Sequence, residues 1–247
     1  MQLHGKTALI IHGDIPLGRE IALALGMEGA SLAIHVSNPK AATEYSLDIA
    51  PSDKQAVEVY ASTLVDHTAV KAMFDKVRAR FGGIDILVFN AKPQPNDTVK
   101  SLSVDDLKLH VDTDVKPLFW CAKEVSKLMV ARKSGKIIPV YFGISARGDA
   151  DLASWSASGG AIFGLVKCLA TEFVRYGINV NAVSYGYIED VAFPPHVRTA
   201  VKDYVDYLDI RRAGTSRDVA QAVRFLATGM SDYMTGQNLY VNGGLLL

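Results

Sequence analysis

Ile84-Asp85-Ile86-Leu87-Val88-Phe89-Asn90-Ala91 contains four consecutive apolar residues, Ile86 to Phe89, with no polar alternation. A strand with one wet face alternates with period two. An unbroken apolar run of this length, preceded by Gly82-Gly83, suits the middle of a parallel sheet covered on both faces. Toward the N-terminus, the pattern predicts strands over residues 7–11, 31–36 and 56–60, separated by helices over 18–28 and 68–81. Toward the C-terminus it predicts a long helix over 104–132, a strand over 136–141, and a helix over 152–176. A strand over 179–184, a helix over 217–228 and a strand over 237–241 complete the series. Strands alternating with helices imply βαβ units. The expected fold is therefore α/β, a doubly wound parallel sheet in a single domain over 1–247. The segments 92–101 and 185–210 are loop-like and are expected at the carboxyl ends of the strands, where ligands bind in such sheets; 185–210 is expected to act as a substrate loop or lid.

The composition removes several classes of function. With 247 residues, 49% of them apolar, the chain can bury a large core. Lys plus Arg and Asp plus Glu number 26 each, so no net field favours nucleic acid or an anionic membrane. No purely apolar run approaches the ~20 residues of a membrane span, and the N-terminus lacks a signal-peptide pattern. The expectation is a cytoplasmic protein. Cys121 and Cys168 fall in helical patterns and read as reduced thiols. The six histidines have no metal-ligand spacing, and no metal site is expected.

Motifs along nearly the whole chain resemble the short-chain dehydrogenase/reductase family, whose fold is of the Rossmann type. They are Gly5-Lys6-Thr7-Ala8-Leu9-Ile10, Arg19-Glu20-Ile21-Ala22, the 84–91 strand, and Ser156-Ala157-Ser158 with Gly164-Leu165 and Glu172-Phe173. Gly177-Ile178-Asn179-Val180-Asn181-Ala182-Val183, Thr235-Gly236-Gln237 and Val241-Asn242-Gly243-Gly244 complete the match. The resemblance implies an NAD(P)-dependent oxidoreductase scaffold, but it also exposes where this chain departs from it.

The family's first turn, T-G-x-x-x-G-x-G, aligns with Ile11-His12-Gly13-Asp14-Ile15-Pro16-Leu17-Gly18. His12 and Pro16 replace two of the glycines that let the backbone approach a pyrophosphate, and Gly18 remains, read here as a strand–helix packing residue. A one-residue slip would make Gly13 the first glycine, against the flanking matches. At the family's ribose position stands Val36, which offers no hydrogen bond. Thr63 replaces the acid near the adenine, and Lys92 replaces the glycine of N-A-G. Lys92 reads as solvent-facing, although its charge could attract a phosphate. No cofactor is expected in this chain.

The catalytic set departs as well. The family uses Tyr as acid/base, a Lys that lowers its pKa, a Ser on the substrate oxygen and an Asn in the proton relay. The same register gives Trp155, Gly159, Phe142 and Asp114. An indole N–H only donates, so Trp155 cannot take a proton from an alcohol. No catalytic residue is therefore expected. A relocated pair such as Ser145 with Tyr187 is conceivable, with Tyr141 and Tyr185 nearby, yet no lysine is placed beside them.

The elements that resemble the family's subunit contacts are intact. Helix 152–176 carries Ala153, Ser156, Ala157, Gly160, Ala161 and Gly164, and its glycine pair Gly159-Gly160 should cost about 1 kcal/mol each relative to alanine. The apolar end Leu245-Leu246-Leu247 suits burial against a partner or in the core. The resemblance thus implies a pseudoenzyme: a non-catalytic subunit in a heterotetramer with an intact short-chain dehydrogenase paralogue that holds NAD. A hydroxyacyl-CoA such as 2-[hydroxy(phenyl)methyl]succinyl-CoA is the implied substrate of that complex. The alternatives are a stand-alone reductase with relocated groups and a module that binds a small ligand.

Overall fold

The computed structural model describes residues 1–40, 42, 55–92, 94, 98–143, 148, 150–191, 193, 205 and 210–245. The elements in order are β1 (Thr7–Ile11), α1 (Pro16–Met27), β2 (Ser31–Val36), β3 (Val57–Ala61), α2 (His67–Phe81) and β4 (Ile86–Asn90). Then come α3 (Val104–His110), a π-helical turn (Val111–Val115), α4 (Lys116–Arg132), β5 (Gly135–Phe142) and α5 (Ala153–Phe173). The last are β6 (Ile178–Val180), β7 (Ala182–Tyr185), α6 (Ser216–Ala227) and β8 (Asn238–Val241). The strands form one sheet in the order β3-β2-β1-β4-β5-β7-β8, with β6 also on β5, and every pairing is parallel. This is the expected single-domain, doubly wound α/β fold.

Alternation within each strand feeds two cores. Ala8 and Ile10 of β1 face one side, where Leu17, Ile21 and Leu25 of α1 meet Val219, Val223 and Leu226 of α6. Leu9 and Ile11 face the other, against Val70, Met73 and Phe74 of α2, Leu118 and Val125 of α4, and Ile162 and Val166 of α5. Burying both faces explains why the strands contain few polar residues. Helix ends obey local chemistry: Asp66 accepts from the Ala69 N–H at the start of α2, and Gly82 closes that helix at φ 77°. Thr215 and Asp218 form a capping box that starts α6.

Two expected elements are interrupted, and in both places a proline is responsible. The helix expected over 104–132 contains the π-helical turn Val111–Val115, because Pro117 has no N–H to give the carbonyl of Thr113. The strand expected over 179–184 divides at Asn181 into β6 and β7. Pro139, in the facing part of β5, cannot donate to it, and the Asn181 side chain instead joins Gln237 N–H and the Met234 carbonyl. Although no long purely apolar run exists, the helical stretch Ala153–Tyr176 is long and apolar enough to span a bilayer by length and composition. Its aliphatic and aromatic residues give a mean hydropathy of 1.3, and one face (Trp155, Ile162, Val166, Leu169 and Phe173) packs in the core.

Candidate functional site

The carboxyl ends of β1, β2, β4, β5 and β7 converge on one edge of the sheet, and the side chains there fall into two groups.

The first group surrounds the turn after β1. His12 lies at φ 53°, a left-handed conformation that a non-glycine residue adopts only at a cost. Its imidazole is buried, and Nδ1–H donates to the Asn90 carbonyl at 2.8 Å. The His12 backbone N–H donates to Nδ1 of His35 at 3.1 Å, which leaves the His35 proton on Nε2, facing the Ser62 carbonyl at 3.0 Å. The two rings meet edge-on, with centroids 5.2 Å apart. Burial, then the nearby His35 and Lys92, holds His12 well below the usual histidine range. Burial likewise lowers His35 to about 4, partly offset by its bond to Ser62. Both rings are neutral at pH 7.

Gly18 has a packing role: an added Cβ would lie 2.3 Å from the His12 carbonyl oxygen, so only glycine lets α1 approach the turn this closely. Pro16 occupies the first turn of α1, where its missing N–H leaves no bond unmade. Val36 is fully buried, with its side chain in the α1 core.

The expectation of a solvent-facing Lys92 is overturned. Its side chain is 24% exposed, donates to Ser37 Oγ at 2.8 Å, and lies 3.7 Å from the Asp14 carboxylate. The chain leaves β4 across the sheet edge, so the stem is laid along the cleft toward the ends of β1 and β2. A cavity of about 510 Å³ opens beside this bridge, lined by His12, Ser37, Thr63, Leu64, Lys92 and Leu109 among others.

The second group fills the edge at β5 and β7. Phe142 packs edge-on against Trp155 (centroids 4.9 Å apart) and against Phe193 at 5.2 Å, Tyr187 at 5.8 Å and Tyr185 at 6.0 Å. All five rings are buried. The Trp155 N–H donates to the Gln94 carbonyl at 3.0 Å, which secures the ring across the edge. Behind it a cavity of only about 20 Å³, room for one water molecule, is lined by Asp114, Tyr141, Phe142, Trp155, Gly159 and Tyr185.

Asp114 projects into that space from the π-helical turn. Burial pushes its carboxyl up to about 8, offset in part by donors from the Lys92 backbone and the Thr113 hydroxyl, and Oδ1 has no hydrogen-bond partner. Tyr185 is pushed above the ordinary phenol range by burial and by the proximity of Asp114. The structure thus brings Asp114, Phe142, Trp155 and Gly159 together around one small cavity. It gathers His12, Thr63 and Lys92 around the larger one. Ser145 and most of 185–210 lie outside the described residues.

Residues 15–246 match the family model described as enoyl-(acyl carrier protein) reductase. The chain is 30% identical over 244 residues to the 3-oxoacyl-[acyl-carrier-protein] reductase of Staphylococcus epidermidis, covering 98% of this chain and 99% of that one. The chain belongs to the short-chain dehydrogenase/reductase family. A second member of this oxidoreductase family, the 2-dehydro-3-deoxy-D-gluconate 5-dehydrogenase of Formosa agariphila, is 30% identical over 248 residues, 98% of this chain and 93% of that one. The 3-oxoacyl-[acyl-carrier-protein] reductase of Salmonella typhimurium is 29% identical over 250 residues, the full length of both chains.

Three parts of the site escaped the reading of the sequence. His35, Phe193 and the Asp14–Lys92–Ser37 bridge join residues distant along the chain. The signal available for His35 was a lone polar residue in an otherwise apolar strand, SLAIHV, next to a strand that ends before His12.

Proposed function

We propose that this chain is a non-catalytic subunit of a heteromeric, NAD-dependent short-chain dehydrogenase, assembled with an intact paralogue as a heterotetramer. The observation that carries the reading is the aromatic cluster at the family's catalytic positions. Trp155 stands where an acid/base is needed, and its only polar hydrogen is committed to Gln94. Phe142 offers no donor to a substrate oxygen, Gly159 offers no ammonium, and the space around them admits one water. Asp114 keeps a proton at neutral pH in a space that admits one water.

The family's dinucleotide does not fit the side chains present either. His12 and Pro16 stand at glycine positions, the Lys92 stem and the Asp14 carboxylate occupy the cleft mouth, and Val36 offers the ribose nothing. No step through NAD is therefore assigned to this chain; NAD belongs to the paralogue. A relocated active site is disfavoured because Tyr185 and Tyr187 lie inside the aromatic cluster.

Assembly is supported by the outer surface. Phe119 of α4 is exposed, and Ala157, Gly160, Ala161 and Gly164 present an exposed, nearly side-chain-free stripe of α5. A diverged paralogue can take half the positions of a symmetric oligomer while the interfaces persist. For the complex, a hydroxyacyl-CoA substrate is the reading we favour, in keeping with relatives named 3-oxoacyl-[acyl-carrier-protein] reductases. The chain resembles the inactive subunit of the dehydrogenase that oxidises 2-[hydroxy(phenyl)methyl]succinyl-CoA in anaerobic toluene breakdown. Cytoplasmic placement follows from this reading.

Co-expression with an intact family member from the same genome tests it. A mixed tetramer with about one NAD per intact subunit is the expected result. A homo-oligomer of this chain that binds NAD stoichiometrically and oxidises an alcohol unaided overturns it.

A further inference from the structure

We infer that Asp114 and the rings around it form a proton-controlled gate: while its carboxyl keeps a proton, Trp155 closes the β5–β7 edge, and loss of that proton drives the ring off the cavity. The inference goes beyond the subunit assignment and does not depend on it.

The geometry leaves Asp114 little means to ionise in place. The residue is 3% exposed, and Oδ1 has no hydrogen-bond partner among the described residues. A carboxylate has about four lone-pair sites to satisfy, whereas the cavity it lines admits one water. The neighbouring groups do not supply the difference. On its own element, Asp112 pairs with Lys116 at 2.6 Å, and the His110 ring lies edge-on to Trp155 with centroids 6.4 Å apart. From the end of β4, Lys92 gives a backbone donor, while its ammonium engages Ser37 and Asp14. β5 and β7 contribute the phenols of Tyr141 and Tyr185, and α5 contributes Trp155, Ser158 and Gly159. Burial therefore outweighs the donors and raises the carboxyl to about 8.

The cover is more easily displaced than the floor. Tyr141, Phe142 and Tyr185 belong to strands of the sheet, whereas Trp155 sits in the first turn of α5. That helix starts at Leu152 without a side-chain cap and meets Gly159-Gly160 about a turn later. The Trp155 indole is secured by its bond to the Gln94 carbonyl and by ring contacts with Phe142, Phe193 and His110.

Proton linkage sets the direction. With the ring displaced, the carboxyl meets water and loses its proton near pH ~4. With the ring closed, it holds the proton up to about 8. Between those values the open form binds fewer protons, so each pH unit shifts the equilibrium toward it about tenfold. The shift levels off above about pH 8.

Hydrogen exchange at the two indole N–H groups of the purified full chain, followed by NMR, tests the gate. The Trp155 N–H exchanges when it leaves Gln94, and Trp120, partly buried on α4, serves as the reference. Protection is the ratio of intrinsic to observed rate, which removes the pH dependence of exchange itself. Trp155 protection is expected to fall about tenfold per pH unit from about pH 6 to 8 and then level, with no matching change at Trp120. Asp114→Asn, nearly isosteric, and Asp114→Ser should each hold Trp155 protection level over that range. Urea below the unfolding transition should leave the Trp155 rate nearly unchanged, because a local opening exposes little surface. Trp155 protection independent of pH in the parent overturns the inference, as does an equal slope in either variant. A Trp155 rate that rises with urea as steeply as global unfolding overturns it too.

Discussion

The two halves of the sheet edge are furnished by opposite means. At β5 and β7 five aromatic rings pack together, and three of them, Phe142, Trp155 and Tyr185, line a space for one water. At β1 and β2 polar side chains engage one another, Lys92 with Ser37 and Asp14 and His12 with the Asn90 carbonyl, and a cavity of ligand size persists beside them. An apolar side chain removes a site by filling it. A polar one must bring partners, so it reshapes the site and keeps part of it wet.

The largest effect should come from the dry half. Trp155→Ala removes the largest ring of the cluster and the donor to the Gln94 carbonyl, and should destabilise the protein by about 3–5 kcal/mol in urea unfolding. A loss below about 1 kcal/mol would mean that the cluster is loosely packed and that the contrast between the halves is overstated.

Asp114→Asn probes the polar remnant within that half. Folded Asp114 keeps its proton up to about pH 8, whereas in the unfolded chain it loses it near pH ~4. The folded state therefore binds more protons between those values. Its contribution to stability is fully present below the unfolded pKa, is lost as pH rises through the window, and is level above about pH 8. His35 has the opposite sign, since its folded pKa of about 4 lies below its unfolded value. Its contribution is present above ~6.5 and is lost as pH falls toward about 4. The quantity to measure is thus the difference between Asp114→Asn and the parent. It should grow in favour of the variant from pH 5 to 8, by as much as a few kcal/mol, then flatten. A difference independent of pH would place the ionised carboxylate in the folded protein.

In the wet half the effects should be smaller. Gly18→Ala drives a Cβ against the His12 carbonyl and should cost about 1–3 kcal/mol, measured by thermal unfolding. A neutral outcome would show that the turn can yield. Lys92→Met keeps the stem and deletes the charge of a partly exposed bridge, so a loss of about 1 kcal/mol or less is expected, shrinking in high salt. A loss rivalling that of Trp155→Ala would make the bridge as structural as the aromatic cluster and erase the distinction between the halves.

Much of this was legible in the residues. The run Ile86–Phe89 placed β4 at the centre of the sheet, because only a strand covered on both faces stays apolar throughout. Asp114, Phe142, Trp155 and Gly159 line one cavity because the end of β5, the π-helical turn and the first turns of α5 meet at that edge. Lys92 was misread as a solvent-facing charge. Its position was clear, but the direction of a four-carbon stem depends on Ser37 and Asp14, which reach it from β2 and the β1 turn. The interruptions at Pro117 and Pro139 could have been anticipated from the missing N–H of each, had the partner carbonyl been known.

The sequence by itself determined the architecture and the family, because periodicity and residue identity are properties of the chain. Only the tertiary structure decided that one half of the edge is filled and the other keeps a cavity. That outcome depends on which side chains meet across strands 23, 55 or 78 positions apart, as His12 meets His35 and Asn90, and Ser37 meets Lys92. Whether such groups satisfy one another or exclude water is settled by distance and burial, which no single residue carries.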